Sequence, residues 1–201
     1  MFFMFKKIFI NDKMYNKIME AEDILIELKN LTPQNEITKS ELMEILKKYA
    51  RIISVYDLMM ATARMRKDGE FIHANYREKY LEVYVKYFIM RMKEVMENEK
   101  YVDSAIDKES FDESFPMLER TFEKERLDNA QDDKFPLIYV ITALYTTFIL
   151  EEPIHPVGSE FPGSLKVEER NGEYFCPVKD NQKDNVNAIC HLCLAEQTPD
   201  I

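Results

Sequence analysis

Glycine is scarce in this chain, with four residues among 201. That argues against a turn-rich β-sandwich and for long helices. No run of about 20 apolar residues occurs, so no membrane-spanning helix is expected. The longest apolar-leaning stretch, Leu137 to Leu150, is shorter than that and carries three threonines. There is no glycine-rich phosphate loop and no nucleophile elbow. Internal repeats and low-complexity tracts are also missing. Positive charge is in deficit: 27 Lys and Arg face 37 Asp and Glu, a formal net charge of −10. Such a field repels polyanions, so nucleic acid is not an expected partner. Arg64, Arg66 and Lys67 make only a short basic cluster. The apolar start, Met1 to Ile10, is broken by Lys6 and Lys7 and has no small-residue cleavage site. No secretory leader is therefore expected, and the reading is cytoplasmic. In that compartment three cysteines are thiols or metal ligands before they are disulfides.

What is present is core-forming material, 46% hydrophobic and 12% aromatic residues. One domain is the default for this length. The expected fold is mainly α, a bundle of five to seven helices over residues 1–152. A C-terminal module over residues 153–201, holding a β-hairpin and a short helix, packs on the same domain.

Met14 to Leu31 reads as a first helix, with Ile18, Ala21, Leu25 and Leu28 at helical spacing. Thr38 and Glu41 form a capping box that opens the next. From Leu42 to Ala63 the apolar residues recur every three or four positions, which predicts one helix to about Arg66. Asn75 and Glu78 suggest another capped start, followed by Tyr76, Tyr80, Val83, Tyr84, Tyr87 and Phe88. The segment from Glu97 to Lys134 holds 13 acids and 6 bases, net −7, yet Phe111, Phe115, Leu118 and Phe122 give it an apolar stripe. Pro116 would fit a first helical turn there, and Pro136 opens the next helix in the same way. Leu137 to Leu150 is apolar nearly all round, so it should be a central helix covered by the others.

Pro153 ends the helical pattern, and Pro156, Gly158, Pro162 and Gly163 mark an irregular loop. Leu165 to Glu169 and Glu173 to Cys176 are strand candidates around Asn171-Gly172, a dipeptide suited to a tight hairpin turn. Asp184 or Asn185 would cap a final helix bearing Ala188, Ile189, Leu192 and Leu194.

The site candidate lies in this module. Cys190 and Cys193 are three apart, so their sulfurs share one side of a helix. Cys176 ends the hairpin and His155 follows the central helix. Folding the hairpin onto the helix brings three thiols and an imidazole together, a Cys₃His set that suits zinc. His191 is an alternative imidazole. Buried inert thiols, an iron–sulfur cluster with an open iron and a redox dithiol are the competing readings. A second metal pattern is the pair Glu70–His73 and Glu152–His155, the Glu-x-x-His spacing of di-iron bundles. Pro153 and Pro156 spoil its helical presentation. Lys179, Asp180, Gln182, Lys183 and Asp184 read as loop and cap residues, or else as the lining of a polar pocket beside Cys176. Glu119, Glu123 and Glu125 read as a solvated face.

The strings His155-Pro156-Val157-Gly158, Phe161-Pro162-Gly163 and Tyr174 to Asp180 stand close together. With Gln182-Lys183-Asp184-Asn185 and Cys190-His191-Leu192-Cys193, they resemble uncharacterised protein family 0305 of methanogenic archaea, also known as domain of unknown function 2115. The specific resemblance covers residues 153 to 197. It implies an archaeal cytosolic protein of about this length. It brings no activity and no catalytic residues. An anaerobic, iron-rich cytosol keeps the cluster beside zinc. Two functions stand open: a non-enzymatic structural-zinc or interaction protein, and a redox or iron–sulfur enzyme using the same cysteines.

Overall fold

A computed structural model of the chain describes residues 23–99, 101–127, 134–185 and 188–199. Helix α1 is described over residues 23–29, so most of the expected first helix lies outside the described residues. Helices α2 (Lys39–Ala50), α3 (Val55–Asp68), α4 (Ala74–Glu97), α5 (Lys108–Leu127) and α6 (Phe135–Leu144) follow. A π turn over Tyr145–Ile149 continues α6. The fold is mainly α with a small β part, as the composition predicts.

Capping sets where two of the helices begin. Thr38 accepts from the Glu41 N–H while the Glu41 carboxylate takes the Thr38 N–H at 2.8 Å. The single helix expected to Arg66 is two helices, and the break has a local cause. Ser54 and Asp57 form a second capping box, with Ser54 N–H donating to Asp57 at 2.8 Å. Asp57 is buried, which alone would raise its carboxyl. The Ser54 hydroxyl and N–H, together with the Lys134 ammonium 3.4 Å away, outweigh burial and hold it below the usual range. That contact ties the start of α3 to the start of α6. The cap of α4 is His73, two residues before the Asn75 signal, and its ring accepts from Asn75 N–H.

Pro116 corrects another expectation. It sits inside α5, not in its first turn. An interior proline costs about 3 kcal/mol. Phe111, Phe115, Leu118 and Phe122 are all buried on that helix, and their packing outweighs it.

Helix α6 is the centre of the bundle. Leu137, Ile138, Val140, Ile141 and Leu144 are fully enclosed, and α2, α3, α4 and α5 all pack on it. Two of its threonines are satisfied within the helix: Thr142 bonds to Ile138 O at 2.9 Å and Thr146 to Thr142 O at 2.8 Å. Pro136 stands in the first turn, as expected. No helix among the described residues is long and apolar enough to cross a membrane.

The C-terminal module consists of two small sheets. Strands β1 (Glu160–Phe161) and β2 (Leu165–Lys166) pair antiparallel. Strands β3 (Glu168–Arg170) and β4 (Glu173–Cys176) form the expected hairpin, with Asn171 and Gly172 both at positive φ. Val167 divides the predicted Leu165–Glu169 strand: its N–H donates to Ser159 O at 3.1 Å and its carbonyl accepts from Gly158 N–H at 2.8 Å, where pairing changes from β1 to β4. The final helix is not formed among the described residues. Ile189–His191 is one 3-10 turn, and the chain then runs as β5 (Glu196–Gln197), parallel to β4.

Lys39 ties α2 to the end of the central helix. Its buried ammonium donates to Ile149 O at 3.1 Å and pairs with Glu151 at 2.8 Å, at the end of the central helix. Lys39→Met should lower stability by about 1–3 kcal/mol, since it strips a buried carbonyl of its donor. Denaturant unfolding of the two proteins measures this.

Candidate thiol site

Parallel pairing of β5 with β4 carries the chain between residues 190 and 195 back to Cys176. Phe175 pairs with Glu196 and Cys176 with Gln197, and Thr198 N–H donates to Cys176 O at 3.1 Å. The closing element of the site is thus a strand, not a helix. Cys193 N–H bonds Cys190 O at 3.3 Å, which keeps these two cysteines on one turn. Cys176 is buried, Cys190 and Cys193 are half-buried, and all three are free thiols. Cys176 and Cys193 join Phe161, Val167 and Ala195 in a small apolar cluster of their own.

His155 reaches the same region from the other side. Its Nε2 lies 3.2 Å from the Tyr80 hydroxyl of α4. Phe161 meets the imidazole edge-on at 5.4 Å and Tyr84 flanks it at 5.6 Å. Burial among these rings pushes the imidazole down to about 4, so it is neutral at physiological pH. Tyr80 is the common neighbour: burial pushes its phenol up to about 12, and the charges of Cys190 and Cys176 add to that.

Burial raises the Cys176 thiol, while the backbone N–H groups of Val178 and Lys179 favour its thiolate. Burial pushes Cys190 up to about 11, and the neighbouring Cys193 and Cys176 reinforce the shift against the Lys179 ammonium. Lys179 is fixed by its bond to Cys193 O at 2.7 Å. The Cys193 sulfur accepts from Ile154 N–H at 3.4 Å. Thr147 completes the docking, its hydroxyl donating to Leu192 O at 3.2 Å.

Cys176 and Cys193 thus share one cluster on which Tyr80 packs, Tyr80 meets His155, and Cys190 lies one turn from Cys193. As the side chains stand, no three His, Cys, Asp or Glu groups among the described residues are close enough to hold a metal ion. The donor set still matches a soft cation in kind: three thiols, a neutral imidazole and backbone N–H groups near sulfur.

The alternatives are placed elsewhere. His191 is exposed and bonds Asn185 O at 2.9 Å. His73 caps α4, and Glu152 pairs with Arg91, so the two Glu-x-x-His pairs do not meet. Tyr80 and Tyr84 are site residues that sequence periodicity assigns only to the core. Their spacing of four on one helix face is the sole signal.

A helical bundle with a small thiol-bearing β module defines the class. Residues 38–198 match the profile of an uncharacterised protein conserved in archaea (DUF2115), and the chain belongs to that family. A UPF0305 protein of Methanothermobacter thermautotrophicus is 32% identical over 160 residues, 79% of this chain and 95% of the relative. A UPF0305 protein of Methanocaldococcus jannaschii is 31% identical over 163 residues, 80% of this chain and 97% of the relative. No solved structure matches the chain.

The raised Cys190 thiol has a kinetic consequence. In metal-free protein at pH 8 its alkylation by iodoacetamide should run roughly two orders of magnitude slower than that of a free cysteine, because thiolate is the reactive form. Mass spectrometry of the alkylated peptide measures the rate.

Proposed function

We propose that the C-terminal module is a structural metal site, in which Cys176, Cys190 and Cys193 bind zinc as thiolates. His155 is the fourth ligand, released from Tyr80 when the metal binds. The observation that carries this reading is the return of β5 onto β4. It returns Cys193 to Cys176 in one small apolar cluster, with Cys190 one turn away and the neutral His155 imidazole against Tyr80, which packs on that cluster.

The physical need is local. Two short sheets and two 3-10 turns bury little apolar surface of their own, so a clamp between β4, the 190–193 turn and residue 155 would hold the module to the bundle. Burial disfavours free thiolates here, and a bound dication reverses that balance, since a coordinating thiol is deprotonated outright. The role is non-catalytic. Cytoplasmic location and the absence of nucleic-acid partners belong to the same reading, supported by the charge balance. A redox dithiol has less support, because such a thiol needs a lowered pKa and burial raises Cys176 and Cys190.

Elemental analysis of anaerobically purified protein tests the proposal. It should give about one zinc per chain, and chelation should lower the melting temperature. Cys176→Ser should lose the metal. Iron with sulfide in place of zinc would move the reading to a cluster. Metal-free protein whose stability ignores chelators would end it.

A further inference from the structure

A cavity lies among α3, α4, α5 and α6. Its volume is about 320 Å³, within the range that takes a small organic ligand. No cysteine lines it. Four of its lining residues are aromatic, Tyr80, Tyr84, Phe135 and Tyr139, and three are charged, Arg64, Arg120 and Asp68.

Arg120 of α5 lines this cavity, and its Nε is buried with no hydrogen-bond partner. Two other buried side-chain atoms share that condition among the described residues, the hydroxyls of Thr62 and Thr198. Those are neutral, so their penalty is small. A guanidinium is a permanent cation with five donors, and burying part of it unpaired is costly. Among the described residues Arg120 makes no ion pair, although the Asp68 carboxylate lines the same cavity.

A second guanidinium stands on the same wall. Arg64 of α3 lies over the Phe135 ring at 4.4 Å. Burial raises the Tyr84 and Tyr139 phenols, so both stay protonated and able to donate.

From this arrangement we infer that the cavity binds a small organic anion, with a carboxylate or phosphate held by Arg120 and Arg64 and a flat apolar body among the aromatic rings. Planar guanidinium forks match both head groups. The anion supplies the acceptor that the fold withholds from Arg120. The inference does not rest on a bound metal, since no cysteine lines this cavity, although Tyr80 and Tyr84 border both it and His155.

Thermal-shift titration of the full chain tests it, with benzoate, phenyl phosphate and neutral phenol as probes. One or both anions should raise the melting temperature, and phenol should not. Benzoate and phenyl phosphate distinguish the head group. Arg120→Met should melt at or above the wild-type temperature without ligand, since an unpaired charge is gone. It should bind the active anion on the order of tenfold more weakly, the loss of one charge-assisted hydrogen bond. Arg120→Lys keeps the charge without the fork and should also bind more weakly. Failure of both anions to bind, equal binding by phenol, or unchanged affinity in Arg120→Lys would overturn the inference.

Discussion

A helix that is apolar on every side must be enclosed, and α6 sets this requirement for the whole chain. Full exclusion of Leu137, Ile138, Val140, Ile141 and Leu144 from water leaves no solvent face. Four helices are needed to cover it, and four do. Polar atoms on such a helix have no water to bond, which is why each buried threonine finds a carbonyl. The π turn at its end shifts the register by one residue. It leaves Thr147 facing Leu192 and the chain heading toward His155. The position of the thiol module is thus a consequence of how the central helix is buried and how it ends.

The same enclosure explains the electrostatics. Charges at the ends of α6 are the ones the fold pairs with care: Lys134 with Asp57 at its start, Lys39 with Ile149 O and Glu151 at its finish. Both pairs join α6 to a neighbouring helix where apolar packing gives out. Against that background the unpaired Arg120 Nε stands out, since elsewhere the chain provides buried cations with partners.

Helical periodicity made α2, α4 and α6 legible, because each carries apolar residues at three- and four-residue steps. The break at Ser54 was not legible the same way. Ile52, Ile53 and Tyr56 continue the spacing across it, and the capping pair ends in Asp where Glu is the usual partner. Pro116 was read by its local preference, which the buried phenylalanines of α5 override. Strand β5 is two residues long and has no pattern to read; its pairing with β4 is purely tertiary. The cysteines and His155 were legible as residue types; the segment bearing Cys190 and Cys193, read as a helix, holds a single 3-10 turn that leads into β5. Tyr80 and Arg120 were invisible as site residues. One looked like core and the other sat in a charge-dense segment where a solvated face is the ordinary reading.

The account rests on α6 as the element that organises everything around it. Native-state hydrogen exchange read by NMR tests this most directly. The amides from Ile138 to Ile149 should exchange slowest in the molecule and only through global unfolding, while those of β1 to β4 open earlier by local excursions. Exchange of the α6 amides as fast as that of the hairpins would contradict the central claim.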